Sequence, residues 1–143
     1  MTFDLQRFLD AQAPVLGDVE AELRAGRKRT HWMWFIFPQL RGLGHSEMAR
    51  LYGLDGLAEA QAYLDHPVLG PRLREHVGLV LKLSHRTAHA IFGSPDDLKF
   101  RSCLTLFNRA AQGDDKALFS TALASFYGGE PDTKTLSLLE ARP

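Results

Sequence analysis

Arg27, Lys28, Arg29 and His31 lead directly into Trp32, Trp34, Phe35 and Phe37, and Gln39 follows two residues later. Indole faces stack on planar rings such as nucleobases, and cationic side chains hold phosphate. The stretch therefore offers the parts of a site for a small planar phosphorylated ligand. Trp32 or Trp34 would stack, Gln39 would hydrogen-bond, and His31 would move a proton or orient a water. The same residues also suit a plainer role. Aromatic side chains bury about 150–250 Å² each and hold cores together. The cations, with Arg24 before them, equally suit a helix end, where positive charge meets the last carbonyls. A histidine and a glutamine at the margins of an apolar run need partners if buried, and a ligand could supply them.

A second cluster sits in SPDDLKFRSC, residues 94–103. Ser94 is expected to cap a helix, with Pro95 at its first position and Asp96 and Asp97 where the dipole favours negative charge. Asp97 with Arg101 and Asp96 with Lys99 are spaced for ion pairs, each contributing only about 0.2–0.5 kcal/mol when exposed. A helix N-terminus attracts anions, but two aspartates there repel phosphate. Asp97 is better suited to polarising a hydroxyl or a water, leaving Lys99 and the earlier Arg72 to hold phosphate.

Other chemistry is excluded or reads blandly. The chain has no phosphate loop, dinucleotide fingerprint, nucleophile elbow or zinc-protease helix. GLGHSE is a turn, with nothing strand-like before it. His85 and His89 would share one helical face, but no third ligand is near, so no metal is expected. Cys103 lies in an apolar stripe without a base and reads as core. No cofactor is expected.

The elements that must position these residues are helical. The 143 residues suit one domain, 1–143, with 45% hydrophobic and 24% charged residues, the balance of a folded globular chain. Lys plus Arg equals Asp plus Glu, 17 each, which argues against a dedicated nucleic-acid binder. A lone cysteine, no signal pattern and no long apolar run lead to a cytoplasmic expectation, with no membrane partner. Three- and four-residue periodicity predicts a mainly α, compact domain of about seven to nine helices, several of them short. The expected order is a helix from Asp4, one from Pro14 to Ala25 stopped by Gly26, and a short buried helix ending near Pro38. Two short helices follow over SEMARLYG and GLAEAQAYLDH, then a helix from Pro67 that Gly70 and Pro71 should break or restart. A short helix over TAHAIF precedes the central helix, whose stripe is Phe100, Cys103, Leu104, Phe107, Ala110 and Ala111. A helix stopped at Gly128–Gly129 and a last short one complete the chain.

HWMWFIFPQL, YLDHPVLGPRL and FGSPDDLKFRSCLTLF, then FYGGEPDTKTLSLL, resemble in that order a bacterial family, domain of unknown function 1810. The similarity spans about Asp4 to Leu139. It implies a helical single domain, and adds Ser102 to the polar residues where a ligand would be sought. Members sometimes carry the label calpastatin. A calpain inhibitor is disordered when free, whereas this composition is that of a folded core. A looser similarity links "DDLKF…LF…FYGG…TLSLL" to helical domains that process ADP-ribose and related N-glycosides. It implies hydrolysis or transfer at an N-glycosidic bond, although that group's aromatic motif and acidic end segment are missing here. The leading expectation is thus a nucleotide or ADP-ribose-like ligand, with His31 and Asp97 as catalytic residues and Trp32, Trp34, Gln39, Arg72, Lys99 and Ser102 as ligand contacts. The alternative is a non-enzymatic protein-interaction module.

Overall fold

A computed structural model describes residues 3–142. Ten helices follow one another, with no strand among the described residues: α1 (Gln6–Gln12), α2 (Leu16–Ala25), α3 (Met33–Ile36), α4 (Glu47–Tyr52), α5 (Leu57–Asp65), α6 (Leu69–Leu81), α7 (Ala88–Phe92), α8 (Asp96–Ala110), α9 (Gly113–Tyr127) and α10 (Thr133–Glu140). This is the mainly helical architecture that the periodicity predicts, with α3, α4 and α7 as its short members. Among the described residues no helix is long and apolar enough to cross a membrane.

α8 is the central element. Its stripe of Phe100, Cys103, Leu104 and Phe107 is wholly buried, and it packs against α9, α5, α7, α10 and α3. α6 lies against α5, α9 and α2, and α1 and α4 flank α3. The buried apolar residues form one cluster that draws on every helix from α1 to α9 except the short α4. α2 stops at Gly26, whose φ of 81° is the left-handed turn that a glycine adopts without strain.

Three local expectations are corrected. Helix α6 does not break at Gly70 and Pro71. It begins at Leu69, so Pro71 falls in the first turn, where an amide has no intrahelical acceptor to lose. Ser94 does not cap α8: the cap position is Pro95, and the Leu98 amide is taken by the Asp97 carboxylate at 2.9 Å. His85 and His89 share no helical face, because His85 sits in the turn between α6 and α7; both are exposed.

Candidate functional site

The placement of Arg29, Thr30 and Trp32 follows from Glu22. This residue lies on the buried face of α2 with Val19 and Leu23. Its carboxylate accepts the amides of Arg29 and Thr30 at 2.5 and 2.8 Å, the Thr30 hydroxyl at 2.7 Å and the Trp32 indole N–H at 3.1 Å. Burial pushes this carboxyl up, but the four hydrogen bonds outweigh it and leave it below the ordinary glutamate value. Trp32 is thereby fixed in the core at 0% exposure. It has no face to offer a ligand, which corrects its assignment as a stacking residue.

One turn of helix then reverses the direction. Met33, Phe35, Ile36 and Phe37 go inward, while Trp34 is half-buried at the surface. α3 ends at Ile36 because the residue before Pro38 disfavours helical geometry. The chain then runs extended, and a short parallel bridge between Leu40 and Leu54 fixes it: the Leu54 amide donates to the Gln39 carbonyl at 2.9 Å and Arg41 donates back to Leu54 at 2.8 Å. Gln39 is placed by this bridge, not by helical spacing from Phe35 as expected. Its side-chain amide makes no hydrogen bond with any described residue.

Asp96 joins this segment to the start of α8. Its carboxylate meets the Lys28 ammonium at 2.8 Å and that of Lys99 at 3.0 Å. Here too burial raises the carboxyl and the two lysines more than reverse it, so Asp96 is held below its usual range. Lys99 in turn lies over the Trp34 ring, 3.9 Å from its centroid, a cation–π contact.

Trp34, Gln39, Lys99 and Ser102 all line one cleft of about 400 Å³. The structure therefore brings together four of the eight candidate residues. Ser102 is largely buried, and its hydroxyl donates to the Leu98 carbonyl at 3.2 Å. The 43–46 loop and α4 also line it, with Leu43, His45 and, at the end of α4, Tyr52; Asp132, the cap of α10, and Lys134 complete the lining. Sequence reasoning missed these last residues. Lys134 and Asp132 stand more than 30 positions from Lys99, and no local spacing links them. Asp132 is occupied as the α10 cap, accepting the Thr135 amide at 3.0 Å and its hydroxyl at 2.6 Å.

The other candidates lie elsewhere. His31 is exposed, outside α3 and outside the cleft. Asp97 faces His89 at 3.6 Å, and the expected pair with Arg101 does not form, because Arg101 meets Glu130 at 3.4 Å. Arg72 serves the core. It donates to Gln12 at 3.2 Å, and Gln12 donates to the Phe35 carbonyl at 2.8 Å and the Tyr63 hydroxyl at 3.0 Å. The proton-handling pair and one phosphate holder are thus removed from the cleft by ordinary structural work.

The solved structure of the conserved hypothetical protein Rv1873 from Mycobacterium tuberculosis is similar throughout: 57% identity and a TM-score of 0.93, over 96% of this chain and 97% of that one. No curated protein matches the chain. A family model described as protein of unknown function (DUF1810) matches residues 2–139, and the chain belongs to that family.

Proposed function

We propose that the cleft binds a small planar phosphorylated ligand, a nucleotide or an ADP-ribose-like molecule. The observation that carries this reading is the Lys28–Asp96–Lys99 chain ending on Trp34 at the cleft wall. Two cations share one carboxylate, so the triad keeps a net positive charge. Lys28 is the more deeply buried partner, with its side chain 7% exposed against 21% for Lys99. When a ligand phosphate draws Lys99 away, Asp96 keeps Lys28 and no buried charge is orphaned. The same movement uncovers the Trp34 ring for a planar group. Gln39 supplies a side-chain amide with no hydrogen bond to any described residue, and a volume of about 400 Å³ lies within the usual range for ligand sites.

Hydrolysis at an N-glycosidic bond is not part of the proposal. His31 and Asp97 lie outside the cleft, and the carboxylate inside it, Asp132, is committed to α10. The rival reading, an interaction module, calls for a broad apolar face. Among the described residues the large exposed apolar side chains are Leu51, Leu57, Val68 and Leu98; they belong to four different segments, and of these Leu98 borders the cleft.

Tryptophan fluorescence tests the proposal, because Trp32 is sealed and Trp34 reports on the cleft. Titration with AMP, NAD and ADP-ribose should give a saturable change that Trp34→Phe abolishes. Lys99→Ala should weaken it about tenfold, the value of one charge-assisted hydrogen bond. No response at millimolar ligand, with an unaltered melting temperature, would sink the reading.

A further inference from the structure

The cationic loop between α2 and α3 builds a second hollow that shares no lining residue with the cleft. It is an open surface hollow of about 430 Å³ lined by Arg27, Lys28, Arg86, His89 and the chain from Ala90 to Gly93. Specific contacts hold its walls. The Arg86 side chain packs beside Gly26, at ordinary contact distance, 3.4 Å from where a Cβ would stand. The Lys28 amide donates to the Ile91 carbonyl at 2.7 Å, which fastens the loop to α7. The carboxylates beside the hollow are already engaged: Asp96 holds Lys28 at 2.8 Å and Asp97 faces His89 at 3.6 Å.

Six guanidinium groups have no hydrogen-bond or ion-pair partner among the described residues, those of Arg24, Arg27, Arg29, Arg50, Arg86 and Arg109, and two of these six are set apart by their place. Arg7, Arg41, Arg74 and Arg101 each meet a carboxylate, whereas the side chains of Arg27 and Arg86 make no hydrogen bond or ion pair with any described residue. Both border the same hollow. Guanidinium forks match tetrahedral oxyanions, donating two parallel N–H bonds where an ammonium donates one. Phe92 presents little of its ring to the hollow, since Ile91 and Phe92 are 0% and 5% exposed, and the ring beside it is the His89 imidazole.

We infer that this hollow is a second binding site, taking the phosphate or pyrophosphate group of a small ligand between Arg27 and Arg86. The site is independent of the cleft reading and survives its failure. A nucleic-acid backbone is disfavoured, because it requires an extended basic track on a chain whose formal net charge is zero.

The test is calorimetric titration at fixed ionic strength with inorganic phosphate, pyrophosphate and a short single-stranded oligonucleotide. Arg27→Ala and Arg86→Ala are compared with Arg109→Ala, which removes an exposed arginine at the far end of α8. Wild-type protein should bind pyrophosphate saturably, and each of the first two substitutions should weaken it about tenfold or more. Arg109→Ala should leave it unchanged. Three outcomes overturn the inference: no saturable pyrophosphate binding at millimolar concentration, equal weakening by Arg109→Ala, or tighter binding of the oligonucleotide with a steep salt dependence.

Discussion

Glu22 decides which tryptophan is core and which is surface, and it does so through hydrogen bonds that no composition reveals. Glu22→Ala would leave the Trp32 indole and two loop amides without their acceptor, costing about 2–4 kcal/mol. Glu22→Gln keeps the shape and one acceptor oxygen and should cost less. The sign of the pH effect follows from the direction of the shift. The folded carboxyl is depressed, so its stabilisation is present above the unfolded glutamate range and is lost as pH falls through the folded value. His76 acts in an earlier window. Burial lowers its imidazole below the usual value, so the unfolded chain takes up a proton first and stability begins to fall below about pH 6.5. Chemical unfolding from pH 7 to pH 3 should show both losses in wild type, and in Glu22→Gln the lower one should flatten. An unchanged acid limb in the variant would contradict the role given to Glu22. At this scale half of the eight residues proposed from the sequence line the cleft. Trp34, Gln39, Lys99 and Ser102 meet at the cleft, whereas Trp32 differs from Trp34 by two positions on a single helical turn. Periodicity over four residues is too short to say which of them faces water.

Among the elements, the helices were legible wherever an apolar stripe ran for several turns, as in α8, or where a glycine ended one, as at Gly26 and Gly128. Starts were less legible. Ser94 has the right chemistry for a cap, but the backbone places Pro95 at that position and the Asp97 carboxylate takes the helix amide instead. Gly70 and Pro71 look like breakers. Their meaning becomes clear only with α5 beside them: a Cβ on Gly70 would stand 2.1 Å from the Leu64 carbonyl oxygen. That oxygen also accepts from Arg74 at 3.2 Å, and Arg74 holds Asp115 of α9 at 2.8 Å. The glycine is thus a contact point between helices, a property of packing that one helix's own sequence does not display. Gly70→Ala should destabilise the protein by about 3 kcal/mol, at the upper end for overpacking, since backbone rather than a flexible side chain must move. Denaturant titration checks this; a loss below about 1 kcal/mol would mean that α5 and α6 separate freely.

Across the whole molecule, the wall of the cleft and the centre of the core are two sides of the same four-residue helix. Phe37, just past α3, is fully buried and lies 4.9 Å from the Phe100 ring centroid, 5.9 Å from Phe92, 6.1 Å from Trp32 and 6.5 Å from His76. These partners come from α6, α7, α8 and the loop after α2, so Phe37 links the elements that carry Lys28, Asp96 and Lys99 to those behind them. Removing the ring in Phe37→Ala should cost about 3–5 kcal/mol, from lost burial together with the cavity left behind. For a chain of this size that corresponds to a fall in Tm of about 10–15 °C. Lys99→Ala, in contrast, removes a partly exposed ammonium while Asp96 retains Lys28, and should shift Tm by about 2 °C at most. The two substitutions separate the scaffold from the site it presents. Because the buried residues form one continuous cluster, near-ultraviolet and far-ultraviolet circular dichroism should melt together in wild type and in both variants. If the near-ultraviolet signal of the aromatic segment disappeared well before the helices, α3 would be a separately melting patch, and the cleft would rest on a support looser than the packing around Phe37 implies.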